Sequence, residues 1–274
     1  MRASPLPAIA VVALLVLAGC AGLPGTGGNQ PSPDASPDDF PTASAINQSV
    51  FDTHTSALAD TSFTLSVERA ENESTPVAEK NFTYRNETSR FLVEPGASQY
   101  LVHSNATGEN SLLRNSSVYS NGTTAYRLSR ENDTDVSTVA SPLPVFNESS
   151  DEYLWHGWFG YDIDSFERVA INATFQREGI ETFQDVPVMR YEATGVDALS
   201  DTRLWDENAS KQFEAFSATL LVDEDGVVRH YEYEIVFPVI ENRPRRIAVS
   251  YTLTDVGSTD IEKPDWVANA TAGS

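Results

Sequence analysis

The sequence predicts a mainly β fold of the α+β class, built around one antiparallel sheet. Short segments of alternating apolar and polar residues recur through most of the chain, and such alternation is typical of half-buried strands. Turn residues separate these segments at intervals of about eight to twelve residues, which favours a meandering sheet over parallel βαβ units. An N-terminal helix and a mid-chain helical insert are the two exceptions.

The N-terminus resembles the export signal of a lipoprotein. Arg2 precedes an apolar run over 8–17, which is shorter than the roughly 20 residues of a membrane-spanning helix. The run ends in Leu-Ala-Gly-Cys, similar to the lipobox in which the chain is cleaved before an acylated cysteine. The resemblance implies a signal peptide over 1–19 and a lipid on Cys20, the only cysteine. The alternative is an uncleaved signal anchor.

Composition divides the rest of the chain. Residues 20–45 are rich in Gly, Pro, Ser and Asp, so we expect a flexible tether with a reach of about 25–30 Å. A single β-rich domain is predicted over 46–268, followed by a frayed tail over 269–274. With Cys20 acylated no thiol remains, so disulfides are excluded.

The charge balance is strongly acidic. The chain has 40 acidic and 18 basic residues, a net charge of −22, and its only lysines are Lys80, Lys211 and Lys263. Dispersed acid with little lysine is typical of a halophilic surface, where salt screens self-repulsion; an acidic face that binds a partner is the alternative. The lack of a basic stripe argues against nucleic-acid binding.

N-glycosylation sequons are unusually frequent. Twelve of the fifteen asparagines lie in Asn-X-Ser/Thr: Asn47, Asn72, Asn81, Asn86, Asn105, Asn115, Asn121, Asn132, Asn147, Asn172, Asn208 and Asn269. Chance predicts about three, so we expect N-glycans, which require an exposed position. No sequon lies between 209 and 268. We hypothesise that this surface is left bare for a partner or the membrane; the alternative is that its strands are more central.

The helix is predicted first along the chain. Ile46, Val50, Phe51, His54 and Leu58 recur at helical spacing and form one apolar stripe. We expect Ser44 to cap this helix and the pattern to change near 60–61, before a first strand at 63–67.

Further strands are predicted at 82–84, 91–93, 100–102, 118–119, 126–128, 136–140, 171–175, 189–193, 216–222, 231–237 and 247–253. Asn121-Gly122 and Asp225-Gly226 are strong hairpin signals between neighbouring strands, and a third turn is expected near Asp185. The mid-chain insert at 151–166 interrupts the pattern and holds the densest aromatic cluster. The domain closes at 264–266.

This order of elements over about 46–266 resembles a haloarchaeal surface lipoprotein family of unassigned function. Its layout is similar to the LolA/LppX-type lipoprotein carrier fold. The resemblance implies a curved sheet, or incomplete β-barrel, whose concave face is covered by the N-terminal helix and the mid-chain insert. It also implies an apolar cavity for an acyl chain or a similar hydrophobic ligand.

The residues expected to line that cavity lie on the two covers and on one strand: Val50, His54, Leu58, Tyr153, Trp155, Trp158, Phe159, Tyr231 and Tyr233. One face of each strand is apolar and something must cover it. The alternative is a filled core without a cavity. The protein would then be a non-catalytic structural or interaction module of the cell surface.

No catalytic or metal-binding pattern is found. His54, His103, His156 and His230 lack the spacing of metal ligands, and the motifs of nucleophilic or phosphate-binding enzymes are absent. The acidic segment 223–226 is predicted to be a hairpin turn, since it lacks the length of a calcium loop. We therefore expect no enzyme, cofactor or metal. The predicted location is the extracellular face of the cell membrane, with a protein partner left open.

Replacing the lipidated cysteine tests the anchor. Cys20→Ser removes the only thiol that can be acylated, so the domain is expected to leave the membrane for the soluble fraction. Fractionation followed by immunoblotting measures this. A Cys20→Ser protein that remains in the membrane would contradict the lipoprotein assignment.

Overall fold

The computed structural model describes residues 35–73, 83–108, 115–130, 136–142, 173–199, 213–240 and 243–272. The signal segment, Cys20 and the mid-chain insert lie outside the described residues, as does His156. Five of the sequons do so too: Asn81, Asn132, Asn147, Asn172 and Asn208. Among the described residues, no helix combines the length and the apolar character needed to cross a bilayer.

The described residues form one α-helix, α1 (Gln48–Ala59), and a sheet of twelve strands. The strands are β1 (Phe63–Glu73), β2 (Thr83–Val93), β3 (Tyr100–Gly108), β4 (Asn115–Ser120), β5 (Thr124–Arg130), β6 (Val136–Pro142), β7 (Gln176–Phe183), β8 (Val186–Thr194), β9 (Ala215–Asp223), β10 (Val228–Ile240), β11 (Arg243–Thr254) and β12 (Thr271–Ala272). The predicted fold class, an open curved antiparallel sheet with few helices, is confirmed.

The first long strand of the sheet pairs with the last one. The spatial order is β12-β6-β5-β4-β3-β2-β1-β11-β10-β9-β8-β7. Every neighbouring pair is antiparallel except β12 and β6. Two meanders therefore extend from the β1–β11 pair to opposite edges. Among the described strands the two edges, β12 and β7, do not pair, so the sheet is open.

The alternation within each strand separates an inner face from an outer face. We call inner the face to which Phe63, Leu65 and Val67 of β1 point; these side chains are at most 6% exposed. Their cross-strand partners continue this apolar surface on both sides, for example Phe91 opposite Leu65. Side chains on the outer face of β1 are mostly polar, as expected for a sheet with one face in water.

Helix α1 packs on the inner face. Ile46, Val50, Phe51 and Leu58 are buried and belong to the same apolar cluster as the inner-face strands, which confirms the predicted stripe. The cap is different from the prediction: Asn47, not Ser44, is the N-cap, and its Oδ1 accepts a hydrogen bond from the Ser49 backbone N–H at 2.9 Å. Asparagine is among the most favourable N-cap residues.

Order begins before residue 46, within the segment predicted to be a flexible tether. Phe40 is 4% exposed. The Arg177 guanidinium donates to the carbonyl oxygens of Phe40 and Pro41 at 2.8 and 2.5 Å, and the Tyr191 hydroxyl also donates to the Pro41 carbonyl. These contacts attach the N-terminal segment to β7 and β8, so only the residues before it can act as a tether.

The C-terminal segment is ordered beyond the predicted end of the domain. After β11 it packs Ile261 and Val267 against the outer face, where they form a second apolar cluster with Leu101 and Tyr119. Residues 271–272, predicted to be frayed, pair with β6 as β12. The segment therefore covers the outer face of the N-terminal strands near one end of those strands.

Two strand predictions need correction. The segments 82–84 and 91–93 belong to one strand, because β2 runs unbroken from Thr83 to Val93. The strand predicted at 171–175 is wrong for its described residues: Ala173 forms only an isolated bridge, and β7 begins at Gln176. A bulge between Arg177 and Gly179 disturbs the alternation there. The predicted turn near Asp185 is confirmed.

Two glycines with the same backbone conformation test the contact between α1 and the hairpin of β9 and β10. A Cβ on Gly226 (φ 79°) would lie 3.0 Å from Thr53 Cγ2 on α1, whereas one on Gly257 (φ 77°) would meet nothing within 4 Å. Gly257→Ala is expected to lower the free energy of unfolding by about 1 kcal/mol through backbone strain alone. Gly226→Ala is expected to lower it by about 1 kcal/mol more, because the added methyl overpacks the contact.

Urea denaturation measures both variants. Adding Thr53→Ser removes Cγ2 and should return Gly226→Ala to the level of Gly257→Ala. Equal losses in the two single variants would contradict the contact.

Candidate functional site

The described cavity candidates are all buried. Val50 and Leu58 of α1 belong to the same apolar cluster as Tyr231 and Tyr233 of β10, and with His54 all five side chains are at most 6% exposed. Tyr153, Trp155, Trp158 and Phe159 lie outside the described residues, so the choice between a ligand cavity and a filled core stays open.

His54 is the polar contact between α1 and the sheet. Its Nδ1 accepts a hydrogen bond from the Val228 backbone N–H at 3.2 Å. Because Nδ1 is an acceptor, the ring proton lies on Nε2, which donates to the Tyr251 hydroxyl at 3.0 Å. Burial, and secondly the charge of Arg229, lower the pKa of His54 to about 3. The ring is therefore neutral at physiological pH, and both nitrogens are used in holding the helix.

Asp223 organises the hairpin beneath α1. Its Oδ1 accepts from the backbone N–H groups of Asp225 and Val227 at 3.1 and 2.8 Å, and its Oδ2 accepts from Arg229 Nε at 2.6 Å. The predicted hairpin turn at Asp225-Gly226 is confirmed. The carboxylate is 2% exposed, and its oxygens are occupied by these donors. Among the described residues, no group of three His, Cys, Asp or Glu side chains is placed to hold a metal ion.

The inner face changes from apolar to charged along its strands. On β1, Val67 is followed on the same face by Arg69 and Glu71. Glu71 accepts from Arg69 at 3.2 Å and from Arg245 of β11 at 2.7 Å. Burial alone would raise the pKa of Glu71, but the hydrogen bonds and charges of the two arginines lower it. The Arg245 guanidinium also lies 4.9 Å from the centre of the Phe237 ring. This ionic cluster borders the apolar surface.

The outer face carries two polar hollows that the sequence did not predict. One, of about 500 Å³, crosses β1–β5, and the other, of about 470 Å³, crosses β2, β1 and β11–β9. Glu68 and Thr88 line both, so the hollows adjoin. Periodicity gives no signal for them, because each hollow is lined by residues of several strands that are distant in sequence.

The other two described histidines, His103 and His230, lie on the outer face of the sheet. His103 lies in the first hollow and its Nδ1 is 2.9 Å from the Ser117 hydroxyl; burial and the charge of Arg90 lower the pKa of His103. His230 lies on the outer face of β10, with Nδ1 3.0 Å from the Thr252 hydroxyl. The His230 imidazole, whose Nε2 lies 3.8 Å from the Glu232 carboxylate, is the main cause of the lowered pKa of Glu232.

Seven sequon asparagines are among the described residues, and they occupy two kinds of position. Asn72, Asn86, Asn105 and Asn115 lie within strands on the outer face, whereas Asn47, Asn121 and Asn269 lie outside strands. Six of the seven are exposed, and Asn86 is partly buried. The strands of the sequon-free segment 209–268, β9–β11, are not more central than β1–β4. Centrality therefore does not explain the bare surface.

Comparison with known proteins shows the family. A family of unknown function, DUF7537, matches residues 5–270, and the chain belongs to it. No curated protein matches the chain. LprF from Mycobacterium bovis is similar in structure at a TM-score of 0.37 and 12% identity, over 84% of this chain and 97% of that one.

Two further solved structures are similar over most of the chain. The lipoprotein LppX from Mycobacterium tuberculosis has a TM-score of 0.31 and 10% identity, over 78% of this chain and 97% of its own. A LolA superfamily protein from Nitrosomonas europaea has a TM-score of 0.24 and 12% identity, over 81% and 99%.

The buried histidine makes stability depend on pH. Unfolded His54 takes up a proton below pH about 6.5, whereas the folded ring does so only near pH 3. Between these two pH values the unfolded state therefore binds a proton that the folded state does not bind. This difference lowers the free energy of unfolding as the pH falls. The slope from this one group approaches about 1.4 kcal/mol per pH unit.

Urea unfolding of the wild type and His54→Gln at pH 6 and pH 4 measures that slope. The variant should be less stable at pH 6 but should lose less stability on acidification. His103→Gln is the matched control, and a smaller change is expected because this ring is exposed. An unchanged slope in His54→Gln would contradict the neutral buried ring.

Proposed function

We propose that this protein is a lipid-anchored, N-glycosylated surface lipoprotein that binds a hydrophobic ligand, a lipid or an acyl chain, against the inner face of its sheet. The role is binding without catalysis. The lipid on Cys20 would hold the domain at the extracellular face of the membrane. Twelve sequons support exposure of the domain to a glycosylating compartment.

The width of the apolar inner face is the observation that carries the proposal. Buried apolar side chains point inward from eight adjacent strands, β4-β3-β2-β1-β11-β10-β9-β8, which span about 34 Å at the usual strand spacing. Helix α1 has 12 residues, so it is about 18 Å long and about 10 Å wide. It is the only α-helix among the described residues, and it covers a part of this surface.

A second cover is therefore needed. The aromatic segment 151–166, with Trp155, Trp158 and Phe159, is apolar enough to supply it. A sheet with two separate covers leaves an apolar space whose contents are either side chains or a ligand. The charged cluster of Arg69, Glu71 and Arg245 borders this surface, so a polar headgroup could remain hydrated there.

A filled core is the competing possibility, and one observation favours it. Large side chains such as Phe51, Tyr191, Tyr231 and Tyr251 are at most 2% exposed, so they already occupy much of the space beneath α1. The protein would then be a structural or interaction module of the cell surface.

Analysis of bound lipid separates the two possibilities. Cys20→Ser protein has no covalent lipid, so any lipid that co-purifies with it and is released by organic solvent is a ligand. Mass spectrometry of the extract should find about one lipid per chain. Protein that is folded but free of lipid, and that binds no fluorescent fatty acid, would refute the carrier function and support the filled core.

A matched pair of substitutions locates the ligand. Ala218 of β9 is 4% exposed on the inner face, whereas Ala248 of β11 lies on the outer face and lines the second hollow. Ala218→Phe should weaken fatty-acid binding by about tenfold or more, because the ring takes up space that the ligand needs. Ala248→Phe should change it less than about twofold. Weaker binding in Ala248→Phe but not in Ala218→Phe would place the ligand in the outer hollow. Thermal unfolding of both variants serves as the control that each one folds.

A further inference from the structure

The turn between β4 and β5 is built on one side of an asparagine amide. Asn121, Gly122 and Thr123 are all exposed. Asn121 Oδ1 accepts hydrogen bonds from the backbone N–H groups of Thr123 and Thr124 at 3.1 and 2.9 Å, and from the Thr123 hydroxyl at 2.9 Å. The oxygen of this side chain therefore stabilises the turn.

The nitrogen of the same amide is left for other partners. No described residue accepts a hydrogen bond from Asn121 Nδ2. The neighbouring Gly122 has φ 82°, and a Cβ there would lie 2.6 Å from the Ser98 carbonyl oxygen. Glycine at this position both permits the turn and leaves no side chain beside Nδ2. The amide nitrogen thus faces solvent at the tip of a hairpin.

We propose that Asn121 is a site at which the folded protein accepts an N-linked saccharide, and that the strand sequons Asn86, Asn105 and Asn115 are not. This rests on the N-glycosylation included in the proposed function. The donor is a saccharide linked to a lipid phosphate. Nδ2 attacks the anomeric carbon, so that a C–N bond forms and the C–O bond to phosphate breaks. The phosphate leaves with the electron pair, and the amide proton passes to a base of the transferring enzyme.

The product is compatible with the fold. Attachment through Nδ2 replaces one N–H hydrogen and leaves Oδ1 as an acceptor. All hydrogen bonds that Oδ1 accepts in the turn are therefore kept. Asn47 resembles Asn121 in its oxygen only: its Oδ1 accepts from the Ser49 backbone N–H and hydroxyl at 2.9 and 2.8 Å, whereas its Nδ2 donates to the Ser44 carbonyl oxygen at 3.5 Å.

Asn86, Asn105 and Asn115 are placed differently. Each lies in a strand that pairs with a neighbour on both sides. A transferring enzyme must bind the asparagine together with the hydroxyl residue two positions on, so the strand would have to leave the sheet. That breaks ladder hydrogen bonds on both sides, whereas opening the hairpin tip affects only the end of one ladder.

Crowding adds a second obstacle for two of the strand sequons. Asn105 and Asn115 are directly opposite each other on β3 and β4, so their Cβ atoms are about 5 Å apart. Two saccharides rooted at that distance would compete for the same space above the sheet.

Transfer to a folded acceptor tests the proposal. Full-length chain produced in a host without N-glycosylation, and shown to be folded, is incubated with an oligosaccharyltransferase and a lipid-linked oligosaccharide. Peptides covering 82–92, 101–111 and 117–127 are incubated in parallel, and glycopeptide mass spectrometry gives the occupancy of each sequon. All three peptides should be modified, whereas the folded chain should be modified at Asn121 at least about tenfold more than at Asn86, Asn105 or Asn115.

Each other outcome counts against the proposal. Equal modification of strand sequons in the folded chain would overturn it, as would a folded Asn121 that stays unmodified while its peptide reacts. Peptides that all fail to react would refute N-glycosylation itself, while the lipid extraction described above still tests the carrier function separately.

Two variants at Asn121 test the division between oxygen and nitrogen. Asn121→Asp keeps a side-chain oxygen but has no amide nitrogen, so it should lose the saccharide and keep its Tm within about 1 °C. Asn121→Ala should lose the saccharide and lower the Tm by about 2–4 °C, because the turn loses its acceptor. An unchanged Tm in Asn121→Ala would refute the structural role of Oδ1.

Discussion

Covering the inner face is the constraint on which the rest of this structure depends. Apolar side chains point inward from eight adjacent strands, and exposing that much apolar surface to water would cost more than a domain's whole stability. Helix α1 meets part of the need, and His54 fixes its position through both ring nitrogens. The N-terminal segment is fixed by Arg177 in the same way, through backbone carbonyls. Burial of apolar surface supplies the free energy that holds these segments on the sheet. A few hydrogen bonds from polar groups determine where each segment lies.

The parts of the fold that local periodicity specifies were predicted well. The stripe of α1 and the alternation of β1, β9, β10 and β11 each repeat over several residues, so the pattern exceeds chance. The hairpins at Asn121-Gly122 and Asp225-Gly226 were predicted from their Asn-Gly and Asp-Gly pairs. The structure gives both glycines a positive φ, which other residues rarely adopt. What periodicity lacks is any information about partners. The pairing of β1 with β11, the order of segment 35–46 and the two-residue strand β12 all rest on contacts between distant parts of the chain.

The candidate site shows the same division. Sequence patterning predicted residues of α1 and β10 that are buried in the inner-face cluster, since these are the apolar positions of regular elements. It gave no account of what His54 does, because a buried histidine on an apolar stripe has the same spacing whether it binds a metal, lines a cavity or holds a helix. The outer hollows were not predicted because each is lined by residues from several strands, and periodicity within one strand does not show which strands are neighbours. The sequons were found by motif alone, but only the structure separates those in strands from those in turns and caps.

The central pair of strands has a consequence for biogenesis. Thr64 of β1 is paired with Thr254 of β11, so the first strand meets its second neighbour only after nearly all of the chain has become available. A sheet with such non-local pairing folds slowly compared with one built from neighbouring hairpins. The N-terminal meander β1–β6 would have one side of β1 unpaired until the C-terminal part of the chain became available. A strand with one unpaired edge, in a sheet whose apolar face is not yet covered, can pair with other chains and aggregate. Mutual repulsion of the many acidic side chains would oppose such association at low salt, where that repulsion is not screened.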